Sequence, residues 1–104
     1  MSLAIRWLPN AEADIDYQAG YYLETATFAL FDRFRAAVLE SLKLLAVQPE
    51  LGERLPLSSR YSAEIRRWQV TGFREHWIFY RQVGDYLEVV RVLHAKRDID
   101  EIAF

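Results

Sequence analysis

Most of the acid–base chemistry available to this 104-residue chain sits in two histidines and one short cationic run. His94-Ala95-Lys96-Arg97-Asp98 ends a strand-like stretch, and His76 lies on the stretch before it. A histidine beside two cations where a strand exits could act as general acid and stabilise developing phosphate charge in RNA cleavage. The same cluster equally suits a structural terminus in which Arg97 and Asp98 make local hydrogen bonds. Other chemistries find less support. Two histidines without cysteine, and without a carboxylate at ligand spacing, make a poor metal site. Gly-Tyr-Tyr-Leu-Glu-Thr at 20–25 is not a phosphate-binding loop. Ser41, Ser58, Ser59 and Ser62 lie in no nucleophile-elbow motif. No cofactor is expected.

The elements that must position these groups lie between Glu64 and Asp98. Three runs here are dense in β-branched and aromatic residues and read as successive strands. The last two, Glu75–Val83 and Tyr86–His94, are separated by Gly84-Asp85, which suits a type II′ hairpin turn because glycine takes positive φ without steric cost. An unbroken register from that turn pairs Val83 with Tyr86, Arg81 with Glu88, Phe79 with Val90 and Trp77 with Val92. It places His76 opposite Leu93 and His94 opposite Glu75, so the histidines are not cross-strand partners. Tyr80, Val89, Ile78 and Leu93 then share the other face. Both faces are largely apolar: one is expected to pack on helices of the same chain, the other to need a cover, with a partner protein as first candidate. Trp68, Trp77, Phe79 and Tyr80 read as core rather than as a base-stacking platform.

A chain of this length folds as one domain, residues 1–104, with room for a real core. Hydrophobic residues make up 52% of it, which argues against disorder. The absence of cysteine excludes a disulfide framework and a thiol nucleophile, and fits a cytoplasmic protein. No apolar run reaches the roughly 18 residues of a membrane helix, so no membrane partner is expected. The net charge of −2 argues against bulk electrostatic binding of nucleic acid. Its distribution is uneven. Residues 1–53 carry four basic and eight acidic side chains, residues 54–97 nine and four, and the last seven residues three acids. The strand region is therefore basic, either as solvated strand arginines or as a face for an acidic partner.

Upstream, Leu3–Leu8 reads as a strand that joins the sheet. Pro9-Asn10 breaks it, with Asn10 as helix N-cap, followed by a helix whose apolar face is Ile15, Ala19, Tyr22 and Leu23. Glu24-Thr25-Ala26 is expected to hold a turn or cap. A second helix follows, with Phe31, Phe34, Val38, Leu42 and Leu45 as its stripe and Asp32, Arg33, Glu40 and Lys43 exposed. Pro49 ends it and forces Gln48 out of helical conformation. Leu51–Ser62 reads as a loop. The order β-α-α-β-β-β predicts an α+β fold, a helical hairpin packed on one face of a mostly antiparallel sheet.

The chain resembles the RelE/ParE family of type II toxins over nearly its whole length. The resemblance runs from Pro9, Ala13, Asp16 and Tyr22 through Phe34 and Leu42 to Pro49-Glu50-Leu51-Gly52. It continues through Ile65-Arg66 and Ile78-Phe79-Tyr80-Arg81 to Val90-Arg91-Val92-Leu93-His94-Ala95-Lys96-Arg97-Asp98. It implies a bacterial toxin, of the kind associated with plasmid stabilisation, held inactive by a cognate antitoxin. RelE-like members cut mRNA on the ribosome; ParE-like members poison DNA gyrase. The nucleases commonly carry an arginine three residues before the tyrosine of the IFY-type strand, where this chain has Trp77. Their C-terminal tyrosine falls near Ala103 or Phe104, neither of which has a hydroxyl. Lys96 and Arg97 match basic nuclease positions, whereas His94 opens the HAxRD run common in ParE-like sequences. The resemblance thus favours a gyrase inhibitor that is not an enzyme. The rivals are a ribosome-dependent endoribonuclease using His94, Lys96 and Arg97, and an interaction module that has lost toxicity. Arg66, Arg67, Arg74, Trp77, Phe79 and Arg91 are the expected partner-binding residues. The antitoxin's C-terminal segment is expected in the groove between sheet and helices, and Ile99, Ile102 and Phe104 as a docked tail.

Overall fold

The computed structural model describes residues 2–55 and 64–95, without the side chains of Leu23 and Thr25. Lys96, Arg97, the tail residues Ile99, Ile102 and Phe104, and most of the 51–62 loop lie outside the described residues. The described elements run β1 (Ala4–Trp7), α1 (Pro9–Thr25), α2 (Phe28–Val47), a 3-10 turn (Pro49–Leu51), β2 (Glu53–Arg54), β3 (Arg66–Val70), β4 (Phe73–Val83) and β5 (Tyr86–His94). They form one five-stranded sheet in the order β1-β5-β4-β3-β2. Every strand pair is antiparallel except β1 with β5. The expected fold is present, with the two-residue β2 added inside what the sequence pattern presents as loop.

The helices form where the apolar spacing puts them, but their starts differ in detail. Asn10 does not cap α1. Leu8 is the N-cap and Pro9 the first helical residue, because its fixed φ suits that position and its missing N–H costs nothing there. The buried face of α1 is Ala11, Gln18 and Tyr22, with Ile15 and Ala19 half-buried. Thr27 caps α2, its hydroxyl accepting the Leu30 N–H at 3.1 Å. Helix α2 stops at Val47, and Gln48 leaves the helical region before Pro49. Phe34, Val38, Leu42 and Leu45 are buried against Ile78, Tyr80, Leu87, Val89 and Val92 of the sheet, and Trp68 packs beside them.

The hairpin turn is as expected at its tip. Gly84 has φ of +58° and Asp85 does not have positive φ, the pattern of a II′ turn. Val83 pairs with Tyr86 and Arg81 with Glu88. Tyr80 still faces Val89 as that register requires, and beyond this pair the expected register fails. The pairing shifts between Phe79 and Tyr80, so that Phe79 faces Arg91 instead of Val90, leaving Val90 as the extra residue of a β-bulge. One inserted residue reverses the faces of everything after it. Val92, not Leu93, joins the helix-side core, and Leu93 lies with Ile65 and Phe79 in a second small cluster, flanked by Leu55 and Trp77. That cluster is already buried within the chain. The two histidines, expected apart, are directly opposed: His76 pairs with His94.

Candidate functional site

The two edges of the sheet hold the polar groups that matter, and they are built differently. At the β2 edge, Pro49-Glu50-Leu51-Gly52 is clasped by two side chains from the sheet. The Tyr80 hydroxyl donates to the Pro49 carbonyl at 2.7 Å and accepts the Gly52 N–H at 2.8 Å. Arg66 donates to the carbonyls of Glu50 and Gly52 at 3.2 and 2.8 Å. Gly52 is required by contact rather than by φ: a methyl built on it would lie 2.7 Å from Cε1 of Tyr80. Burial pushes the Tyr80 hydroxyl above its ordinary pKa, so it stays protonated and donates.

At the opposite edge, β1 pairs with Tyr86–Val89, and among the described residues the rest of β5 has no strand neighbour on that side. Helix α1 takes over. Asp14 accepts the Val92 N–H at 3.0 Å and receives Arg91 through Nε and Nη2 at 2.7 and 2.9 Å. The ion pair is mostly buried, its side chains 13% and 11% exposed. Beyond Asp14 the helix and sheet diverge into a cleft of about 640 Å³, lined by Tyr17, Gln18, Tyr21 and Tyr22 on one side and Glu75, His76, Leu93 and His94 on the other. Tyr17 and Tyr21 are 73% and 53% exposed at its rim. His94 Nε2 lies 3.2 Å from a Glu75 carboxylate oxygen. His76 is held below its ordinary pKa, by burial first and by neighbouring His94 second, with Glu75 opposing.

A family model for the ParE toxin of type II toxin-antitoxin systems, parDE, matches residues 5–99. The chain belongs to this ParE toxin family. A solved structure described as a chromosomal ParDE TA system from P. aeruginosa shares its fold, with a TM-score of 0.70 at 17% identity over 89% of this chain and 96% of that one. A search of curated proteins found no match. No helix among the described residues is long and apolar enough to cross a membrane.

Against this toxin fold, the residues singled out from the sequence do not form one site. Arg66 is spent in the clasp. Arg67 pairs with Glu53 at 3.1 Å and lies over the Trp77 ring, 4.3 Å from its centroid. Arg91 is bound by Asp14. Phe79 is buried. Arg74 is exposed and has no ion-pair partner among the described residues, so it is the one arginine of the four still open to an acidic partner. Trp77 and Arg67 border a second cleft of about 410 Å³ with Arg74, Gln69 and Leu51. Much of the basic balance of the strands is neutralised locally: Arg6 and Arg81 share Glu88 at 3.0 and 2.8 Å, and Arg54 pairs with Glu64. Sequence reasoning missed Asp14, Tyr17 and Tyr21. An aspartate at one helical position and two tyrosines four apart carry no signal until the helix is laid along the strand.

Proposed function

We propose that this ParE toxin acts by binding, with DNA gyrase as its target, and that a cognate antitoxin silences it by laying its C-terminal segment in the groove between helices and sheet. The observation that carries this reading is the α1 cleft, with Val92 and Leu93 among its lining and two tyrosines presented at the rim. Tyrosine supplies large, rigid contact area at low entropic cost and is enriched among residues that dominate binding energy. Acidic residues of the antitoxin meet Arg74 first and then the Arg67–Trp77 stack. Arg66 and Arg91, at opposite sides of the sheet, act as fixed supports of the fold, and Phe79 as core. Such rim charges steer association more than they hold the complex. A gyrase target places the toxin's action in the bacterial cytoplasm.

The nuclease reading asks for a base, an acid and cations around one phosphate. His94 is held at Glu75, His76 is enclosed, and an indole occupies position 77, where it offers no positive charge. The test is to run gyrase supercoiling and ribosome-bound mRNA cleavage on one toxin preparation. We expect supercoiling to be blocked and the mRNA to stay intact. Codon-positioned cuts that vanish in His94→Ala or Arg97→Ala, with gyrase unaffected, would replace this reading with the endoribonuclease.

A further inference from the structure

The α1 cleft contains a buried polar group without a hydrogen-bond partner among the described residues. His76 is 7% exposed. The Phe34 ring of α2 stands 4.7 Å from its ring and the His94 ring 5.2 Å away, edge-on. Its Nδ1 is buried without a hydrogen bond among the described residues. The charged and titratable groups around it come from each packed element. Helix α1 presents Asp14, already bound to Arg91 and the Val92 N–H, and the hydroxyls of Tyr17, Tyr21 and Tyr22. Strand β4 presents Glu75, which is engaged with His94 of β5. Helix α2 presents the uncharged Phe34. Among the described residues, Asp14 is committed to Arg91, and Glu75, engaged with His94, only partly offsets the burial that disfavours a second proton on His76.

We propose that docking in this cleft is proton-linked: His76, enclosed between Phe34 and His94, must be uncharged for α1 and the sheet to hold the docking shape, and acid opens it. The inference rests on the reading of the cleft as the docking site. A charged imidazole enclosed by Phe34, and facing a second imidazole, is relieved by turning outward into the space a partner's apolar anchor would fill. Because burial holds His76 below its ordinary value of about 6.5, the unfolded chain takes up the proton first as pH falls. Stability is therefore unaffected above that value and declines as pH drops from it toward the folded-state pKa. A partner that covers the cleft deepens the same desolvation, so its binding expels protons and weakens in the same window.

The first arm of the test uses the toxin alone. Its histidine ring protons and backbone amides are followed by NMR from about pH 8 to about pH 5, the range in which histidine titrates. We expect His76 to titrate below the ordinary histidine value, together with shifts of Tyr17, Tyr21 and Tyr22 and faster amide exchange in residues 13–22. A midpoint at or above that value, or tyrosines that do not respond, would overturn the proposal. His76→Phe should abolish the response. If that variant does not fold, His94→Gln should raise the His76 midpoint by removing a like charge, and an unchanged midpoint counts against the pair.

The second arm measures affinity for the cognate antitoxin at about pH 7.5 and about pH 5.5. We expect at least about threefold weaker binding at the lower pH, and none of that loss in His76→Phe. Equal affinities with amides 13–22 and 92–94 perturbed by the antitoxin would overturn the linkage alone. An antitoxin that leaves those amides unperturbed would remove the docking reading and the linkage with it, whatever the titration of His76.

Discussion

At the β2 edge the polar atoms of Pro49, Glu50 and Gly52 are answered within the chain by Tyr80 and Arg66, and Gly52 leaves no room even for a methyl. At the β5 edge, beyond β1, helix α1 satisfies one N–H and one guanidinium through Asp14 and then lines a cleft with the sheet. The first edge spends these polar atoms within the chain, although clefts of about 410 and 590 Å³ flank it; the second keeps exposed tyrosines and a buried imidazole nitrogen without a hydrogen bond among the described residues. The contrast separates two kinds of family residue. P-x-x-G, Arg66 and the tyrosine of IFYR hold the chain to itself. The groups able to respond to a partner lie where secondary structure runs out.

The sharpest way to break this comparison is to cut the link that holds α1 to β5. Asp14→Ala leaves Arg91 buried beside an unpaired Val92 N–H, and we expect a loss of about 3–5 kcal/mol in urea denaturation. A loss below about 1 kcal/mol would mean that α1 is held by apolar packing alone. Gly52→Ala attacks the other edge. The added methyl must displace the Tyr80 ring, and overpacking of this kind costs about 1–3 kcal/mol. Thermal melts of Gly52→Ala and Tyr80→Phe should both fall, with antitoxin affinity nearly unchanged in the fraction that remains folded. A loss of affinity without loss of stability would make the clasp a contact surface and erase the distinction between the edges.

Glu88 sits at neither edge and serves as the control. Hydrogen bonds from Arg81 foremost, and from Arg6, hold its carboxyl below the ordinary value despite the opposing effect of burial. A lowered folded pKa contributes stability above the unfolded value, lost as pH falls through the folded one. Glu88→Gln should therefore flatten the acid limb of the stability curve below about pH 4.5, and leave the limb near His76 intact. An unchanged acid limb would show that the two arginines do not stabilise the carboxylate. Tyr17→Ala has the smallest expected effect on the fold, within about 0.5 kcal/mol. Its effect on antitoxin binding should nonetheless reach about tenfold, the size of one aromatic contact that the partner covers. Calorimetry on the purified pair checks both, and an unaltered affinity would move the docking surface elsewhere.

The sequence by itself determined the two helices, the strands other than β2, and one turn of this protein. The stripe Phe34, Val38, Leu42, Leu45 repeats at helical spacing, so its burial follows from periodicity whatever the strands do. Gly84-Asp85 specifies its own turn locally, and Pro49 stops α2 by local sterics. Tertiary structure decided the rest. The bulge at Val90 has no turn or glycine signal in Val89-Val90-Arg91-Val92 to announce it, and it brought His76 face to face with His94. Likewise the basic balance of the strands is plain in the composition. Only the fold brings Arg66 to two carbonyls, Arg67 to Glu53 and Arg91 to Asp14, residues 14 to 77 positions away. Side-chain chemistry is written in the sequence, but whether a charge is offered to a partner or spent at home depends on contacts between distant segments.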